Sequence, residues 1–253
     1  MKRTLIYLLL LACSLTVSRA QQLDPQTEKA TADLAYEQGD LEKAIELYGS
    51  LGRAYSSVSV EFNLGNAYFR TNDIPRAILH YERALRMSPG DKDIAHNLEL
   101  ARNLTIDNID TDANSGITEW WRGKLLMVGE KNWAIFGIVM AFLFAISVAL
   151  FQLKKGGPSR QLFIPLATLC LILSALLTYF AFATRSAMHA RDAAIILVPN
   201  VDVLSAPSDG STDLFVLHEG TKVTIVKEDN GWMNISLPNG LVGWVKAETA
   251  EII

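Results

Sequence analysis

The chain has only two cysteines, Cys13 and Cys170, and both lie inside apolar runs. They allow neither a disulfide framework nor a thiolate metal site. An excess of positive charge is missing too: 23 Lys and Arg stand against 27 Asp and Glu, a formal net charge of −4. No global field therefore draws in nucleic acid. The sequence contains no HExxH, no G-x-S-x-G and no phosphate-cradling glycine loop. No catalytic, cofactor-binding or metal-binding residue is expected.

Apolar residues are plentiful, at 50% of the chain, and unevenly spread. Lys2-Arg3, the run Leu5 to Ala12 and the small residues of Ser18-Arg19-Ala20 form a secretory signal pattern over residues 1–20. Leu10-Leu11-Ala12-Cys13 also fits a loose lipoprotein signal, so signal cleavage and lipidation at Cys13 both stay open. Residues 133–153 and 162–184 carry no charged side chain, and each is long enough to cross a hydrocarbon core of about 30 Å. The loop between them, KKGGPSRQ at 154–161, is too short for anything but an antiparallel hairpin.

With the amino terminus exported, that loop is cytoplasmic and both flanking parts face the periplasm. Neither span holds an acidic, basic or histidine side chain, which argues against transport. Gly137, Ala141, Ala145 and Ala149 form a small-residue ridge suited to close helix packing.

Before the spans, NLGNAYFRTNDIPRAILHYERALRMSP at 63–89 sets Leu64-Gly65, Tyr68, Ala77, Tyr81, Ala84 and Pro89 at tetratricopeptide spacing. Asn63-Leu64 returns as Asn97-Leu98. Upstream, Gly39, Ala44, Tyr48 and Leu51 align with Asn72, Ala77, Tyr81 and Ala84. Two repeats and a closing helix are expected over about residues 24–104. That array is short of the three repeats such stacks normally need, so either the closing helix suffices or a partner completes it. Its concave face should present Lys29, Asp33 and Tyr36, then Phe62, Asn66 and Phe69. Asn66 would hydrogen-bond an extended peptide gripped by the aromatics. Residues 105–132 read as a polar linker followed by an interfacial helix carrying Trp120, Trp121 and Trp133.

From Ile195 onward the pattern changes to short β-branched runs with glycine and proline turns, including Asn239-Gly240. HEGTKV, NGW and NGLVGWV resemble a bacterial SH3-like domain over residues 195–253. Trp232 matches the position of the SH3 groove tryptophan, and Trp244 is expected in the core. The loop after Val203 lacks the tyrosines of a polyproline groove, so peptide, glycan or another part of the chain all remain open as its ligand. The expected architecture is multidomain: an all-α tetratricopeptide array, a two-helix transmembrane hairpin and a small all-β SH3-like barrel.

This order of parts, with NLGNAYFRTNDIPRAILHYERAL, HNLELAR and LHEGTKV…NGW…GLVGWV, resembles the BatE family of the Bacteroides aerotolerance operon. The resemblance implies an inner-membrane protein working with von Willebrand A-domain Bat proteins and a MoxR-type AAA+ ATPase. The implied role is envelope assembly or stress tolerance. Read from the modules alone, the function is a non-catalytic scaffold for protein partners, with peptidoglycan binding as the alternative. Protease added to spheroplasts is expected to digest both flanking parts and spare residues 154–161. Cleavage confined to that loop would reverse the topology.

Overall fold

The computed structural model describes residues 24–107, 123–154, 156–189 and 192–253. The signal pattern, Cys13 and most of the 105–132 segment, including Trp120 and Trp121, lie outside these residues. Five helices come first: α1 (Pro25–Glu37), α2 (Leu41–Ala54), α3 (Val58–Arg70), α4 (Ile74–Met87) and α5 (Lys92–Arg102). Asp40, Ser57, Asp73 and Asp91 each accept a hydrogen bond from a backbone N–H two or three residues onward. These caps satisfy donors that a helix start leaves open. Pro75 follows in the first turn of α4, where a missing N–H costs little.

The two repeats place matching residues at matching points of the helix pairs. Gly39 and Asn72 turn the chain at equivalent places, with φ of +80° and +63°. The same offset aligns Ala44 with Ala77 and Tyr48 with Tyr81, and none of the four is more than 1% exposed. A polar link recurs as well. The Tyr48 hydroxyl donates to Asp33 and the Tyr81 hydroxyl to Asn66. The Asn63 and Asn97 amides donate to those same acceptors, at 3.1 and 2.9 Å. Each link thus ties three successive helices. Burial raises both tyrosine pKa values well above the usual range, so the hydroxyls stay neutral donors.

Helices α6 (Glu130–Leu153) and α7 (Phe163–His189) form an antiparallel hairpin joined through the single turn Pro158–Gln161. Both are long and apolar enough to cross a membrane. Phe142 and Phe182 are 67% and 72% exposed, whereas the core helix of a soluble protein would bury such side chains. Gly137 sits at the helix contact, where its carbonyl accepts from the Ser174 hydroxyl at 3.0 Å. Ala141, Ala145 and Ala149 turn outward. A four-residue step advances about 40° beyond a full turn, so the ridge winds away from the contact. The helical residues 123–128 end at Gly129, and the Trp133 indole donates back to the Leu125 carbonyl at 2.9 Å.

The carboxy-terminal part is one seven-stranded antiparallel sheet among the described residues: β1 (Ala193–Ile196), β2 (Asn200–Leu204), β3 (Asp213–His218), β4 (Lys222–Asp229), β5 (Trp232–Ser236), β6 (Val242–Lys246) and β7 (Ala250–Ile252). Its order is β3-β2-β6-β5-β4-β1-β7, with β3 and β7 at opposite edges and unpaired with each other. The expected closed barrel is therefore wrong; the sheet is open. The β7 edge meets the helical array instead, where Arg83 donates to the Ile252 carbonyl. An edge covered by a neighbour needs no closure. Alternation along β5 and β6 turns Met233, Ile235 and Val245 into the core.

Gly65 offers a test of the helix crossing. An added Cβ would meet the buried Tyr81 ring at 2.7 Å, while one at Gly49 in α2 would meet only the Arg53 side chain at 4.0 Å. Gly65→Ala is expected to destabilise the array by about 1–3 kcal/mol, because overpacking exceeds the helix-propensity gain. Gly49→Ala should gain up to about 1 kcal/mol. Thermal unfolding of the two variants checks the opposite signs.

Candidate interaction surfaces

The first helices of the repeats, α1 and α3, carry the residues expected on the concave face. Lys29 pairs with Asp33 at 2.8 Å. Burial opposes the Asp33 charge, but Lys29, Tyr48 and Asn63 together hold its pKa below the ordinary value. Tyr36 lies under the Arg70 guanidinium, 4.8 Å from the ring centroid, and its carbonyl accepts from the same side chain. Phe62 packs at 5.9 Å from the Tyr81 ring, and Phe69 is half-buried against the α4 core. Asn66 has its carbonyl engaged by Tyr81 and Asn97, so its amide nitrogen is the group left for a ligand.

On the sheet, Trp232 and Trp244 share the outer face. Trp232 stands opposite Lys246, and Trp244 opposite Asn234. Trp244 is half-buried there, and its neighbour Val245 takes the core place. Lys246 lies 5.7 Å from the Trp232 ring and pairs with Asp209 at 2.8 Å, which pins the loop between β2 and β3 beside the tryptophan.

What joins these two surfaces has no local signature in the chain. Ile78 of α4, Leu98 and Ala101 of α5, Ala193 and Ile195 of β1, and Ile253 just after β7 form one buried cluster. The β-unit thereby supplies apolar surface at the end of the array, where a further helix would otherwise pack. Gly220, in the HEGTKV turn, approaches so closely that an added Cβ would lie 2.6 Å from Thr105 and 3.1 Å from Ile78. Its φ of +83° is also one that side chains resist.

Charges ring this seam. Glu82 of α4 is 6% exposed and bridges Lys222 of β4, at 2.8 Å, to Arg102 of α5. Burial works against the Glu82 charge; the two cations outweigh it and hold the carboxyl below its ordinary value. Arg83 pairs with Glu251 at 2.9 Å, and Arg86 donates to the Ile253 carbonyl at 3.0 Å. Asp107, read from sequence as linker, accepts from the His218 backbone, the His218 ring and the Thr221 hydroxyl, each at 2.7 Å. Burial opposes its charge as well, and those donors lower its pKa. A cleft of about 800 Å³ opens beside the seam, walled by Glu82, Arg102, Lys222 and Asp107 and by Leu126 and Met188 from the membrane side.

Elsewhere, the buried Glu61 accepts from Ser56 and pairs with His80 at 2.7 Å, and His80 stacks on Tyr68. This contact is internal to α3 and α4. No cluster of three or more His, Cys, Asp or Glu side chains suited to a metal occurs among the described residues.

Residues 29–92 match the family model of the tetratricopeptide repeat, and residues 199–251 match that of the bacterial SH3 domain. No curated protein matches the chain. Both matched units are non-catalytic interaction modules, and neither match names a particular assembly.

Lys222→Met is expected to cost roughly 1.5–3 kcal/mol, the worth of a hydrogen bond to a charged group. The cost should vanish in the Glu82→Gln background, as thermal unfolding in a double-mutant cycle would show. Equal costs in both backgrounds would deny the link. Because Glu82 and Asp107 have lowered pKa values, their contribution is complete above their ordinary values of 4.5 and 3.8. It is lost as the pH falls through the still lower folded values. Proteolysis between the units should therefore stay flat from about pH 5 to pH 7 and rise on acidification below the ordinary carboxylate range.

Proposed function

We propose that the chain is a non-catalytic scaffold of the bacterial inner membrane, presenting its tetratricopeptide and SH3-like units to protein partners in the periplasm. The supporting observation is the seam at Glu82: two interaction modules are held in one orientation beside a membrane hairpin. In this reading Lys29, Tyr36, Phe62, Asn66 and Phe69 receive an extended segment of one partner, and Trp232 belongs to a second contact on the sheet. The outward Ala141, Ala145 and Ala149 form a lane against which another spanning helix packs. The loop at 154–161 lies in the cytoplasm. The resemblance to the BatE family supplies the company: von Willebrand A-domain Bat proteins and a MoxR-type ATPase system, in envelope stress tolerance.

A second reading follows from the two tryptophans on the outer sheet face, which offer stacking surfaces to sugars. In it, the SH3-like unit holds peptidoglycan.

A photoreactive residue replacing Phe69 is expected to crosslink a von Willebrand A-domain membrane protein in intact cells. Crosslinks to unrelated abundant proteins alone would contradict the scaffold reading. Sedimentation of the detergent-solubilised chain with purified sacculi, lost on Trp232→Ala, would favour the second.

A further inference from the structure

At the loop end of the hairpin, a groove of about 220 Å³ runs between the two spanning helices, lined by Phe144, Val148, Phe151, Phe163, Ile164 and Leu171 among others. Its mouth is cationic. Arg160 lays its guanidinium over Phe151, 4.4 Å from the ring centroid, and its Nε donates to the Phe151 carbonyl at 3.2 Å. Lys154 holds its ammonium 5.4 Å from the Phe163 ring centroid. Residues 131–191 contain no Asp or Glu, so the field at this end of the hairpin is positive throughout.

We infer that this groove is a binding site for an anionic glycerophospholipid, with the phosphate between Lys154 and Arg160 and part of one acyl chain in the aromatic slot. The chemistry divides cleanly. Any lipid tail satisfies the slot, so the apolar walls supply retention without selectivity. Selection comes from the two cations, because a zwitterionic headgroup brings its own positive charge to them. Arg160 is suited to the role: its stem is fixed by the ring and the carbonyl, which leaves the outer N–H groups to meet phosphate oxygens. The inference concerns the hairpin alone and stands apart from the scaffold reading.

The test uses the full chain in detergent, incubated with equal amounts of phosphatidylglycerol and phosphatidylcholine of identical chains. Native mass spectrometry then reads the ratio of retained lipids. Phosphatidylglycerol should be preferred, and Lys154→Gln or Arg160→Gln should each lower that preference about five-fold. Arg160→Lys, which keeps the charge, should retain most of it. Ile164→Trp, which narrows the groove, should lower retention of both lipids. Circular dichroism confirms that each variant keeps its helices, and Lys154→Gln carries the test if Arg160→Gln does not. A wild-type ratio near one, or a ratio untouched by both Gln variants, would overturn the assignment. So would displacement of phosphatidylglycerol by inorganic phosphate with no effect of Ile164→Trp, since that marks a site for the free anion.

Discussion

The buried carboxylate of Glu82 stands where the helical array ends and the sheet begins, and the arrangement of these two units depends on the seam around it. Ile78 and Ile195, both fully buried there, contribute about 1.5–3 kcal/mol each by leaving water. The ionic contacts act differently. Removing Glu82 from water costs several kcal/mol, which Lys222 and Arg102 roughly offset. The apolar seam therefore supplies the stability, and the charges fix the orientation, because any other docking would leave Glu82 with Arg102 of its own array but without Lys222.

That seam resolves the problem of a short repeat array. Two repeats and one closing helix leave an apolar flank on α4 and α5, and the strand β1 with Ile253 covers it. The array is completed by its own chain. It also explains why the sheet stays open: the β7 edge is met by Arg83 of α4 at the Ile252 carbonyl. The polar links of Asp33 with Tyr48 and Asn63, and of Asn66 with Tyr81 and Asn97, connect all five helices of the array.

Much of the helical part was legible in the sequence. Its repeat spacing has a steric cause: Gly65 must admit the Tyr81 ring, and Asp73 with Pro75 must start a helix. The short β-branched runs after Ile195 fall on β1 to β6, but β7 did not announce itself, since Ala250-Glu251-Ile252 shows no alternation long enough to read. Barrel closure was misjudged because local patterning says nothing about what covers an edge. Of the concave residues, Lys29, Tyr36, Phe62 and Phe69 lie on the expected helices, while half of the Asn66 amide is committed inside the repeat. Trp244 fell on the outer face because the inward position belongs to Val245. The seam was invisible for a plainer reason. Glu82 and Arg86 are four residues apart on one helix, the spacing of an ordinary surface pair, yet each reaches across to the β-unit. Likewise Asp107 lies in a segment whose composition is that of a linker, and nothing local pairs it with His218, 111 residues away.

The most direct measurement is amide hydrogen exchange of Lys92–Arg102 in the full chain and in a chain stopped after residue 189. If the sheet completes the array, these amides exchange slowly in the full chain and lose most of their protection in the shortened one, while α2 is affected less. Equal protection of Lys92–Arg102 in both chains would show that the closing helix holds by itself, contradicting the account.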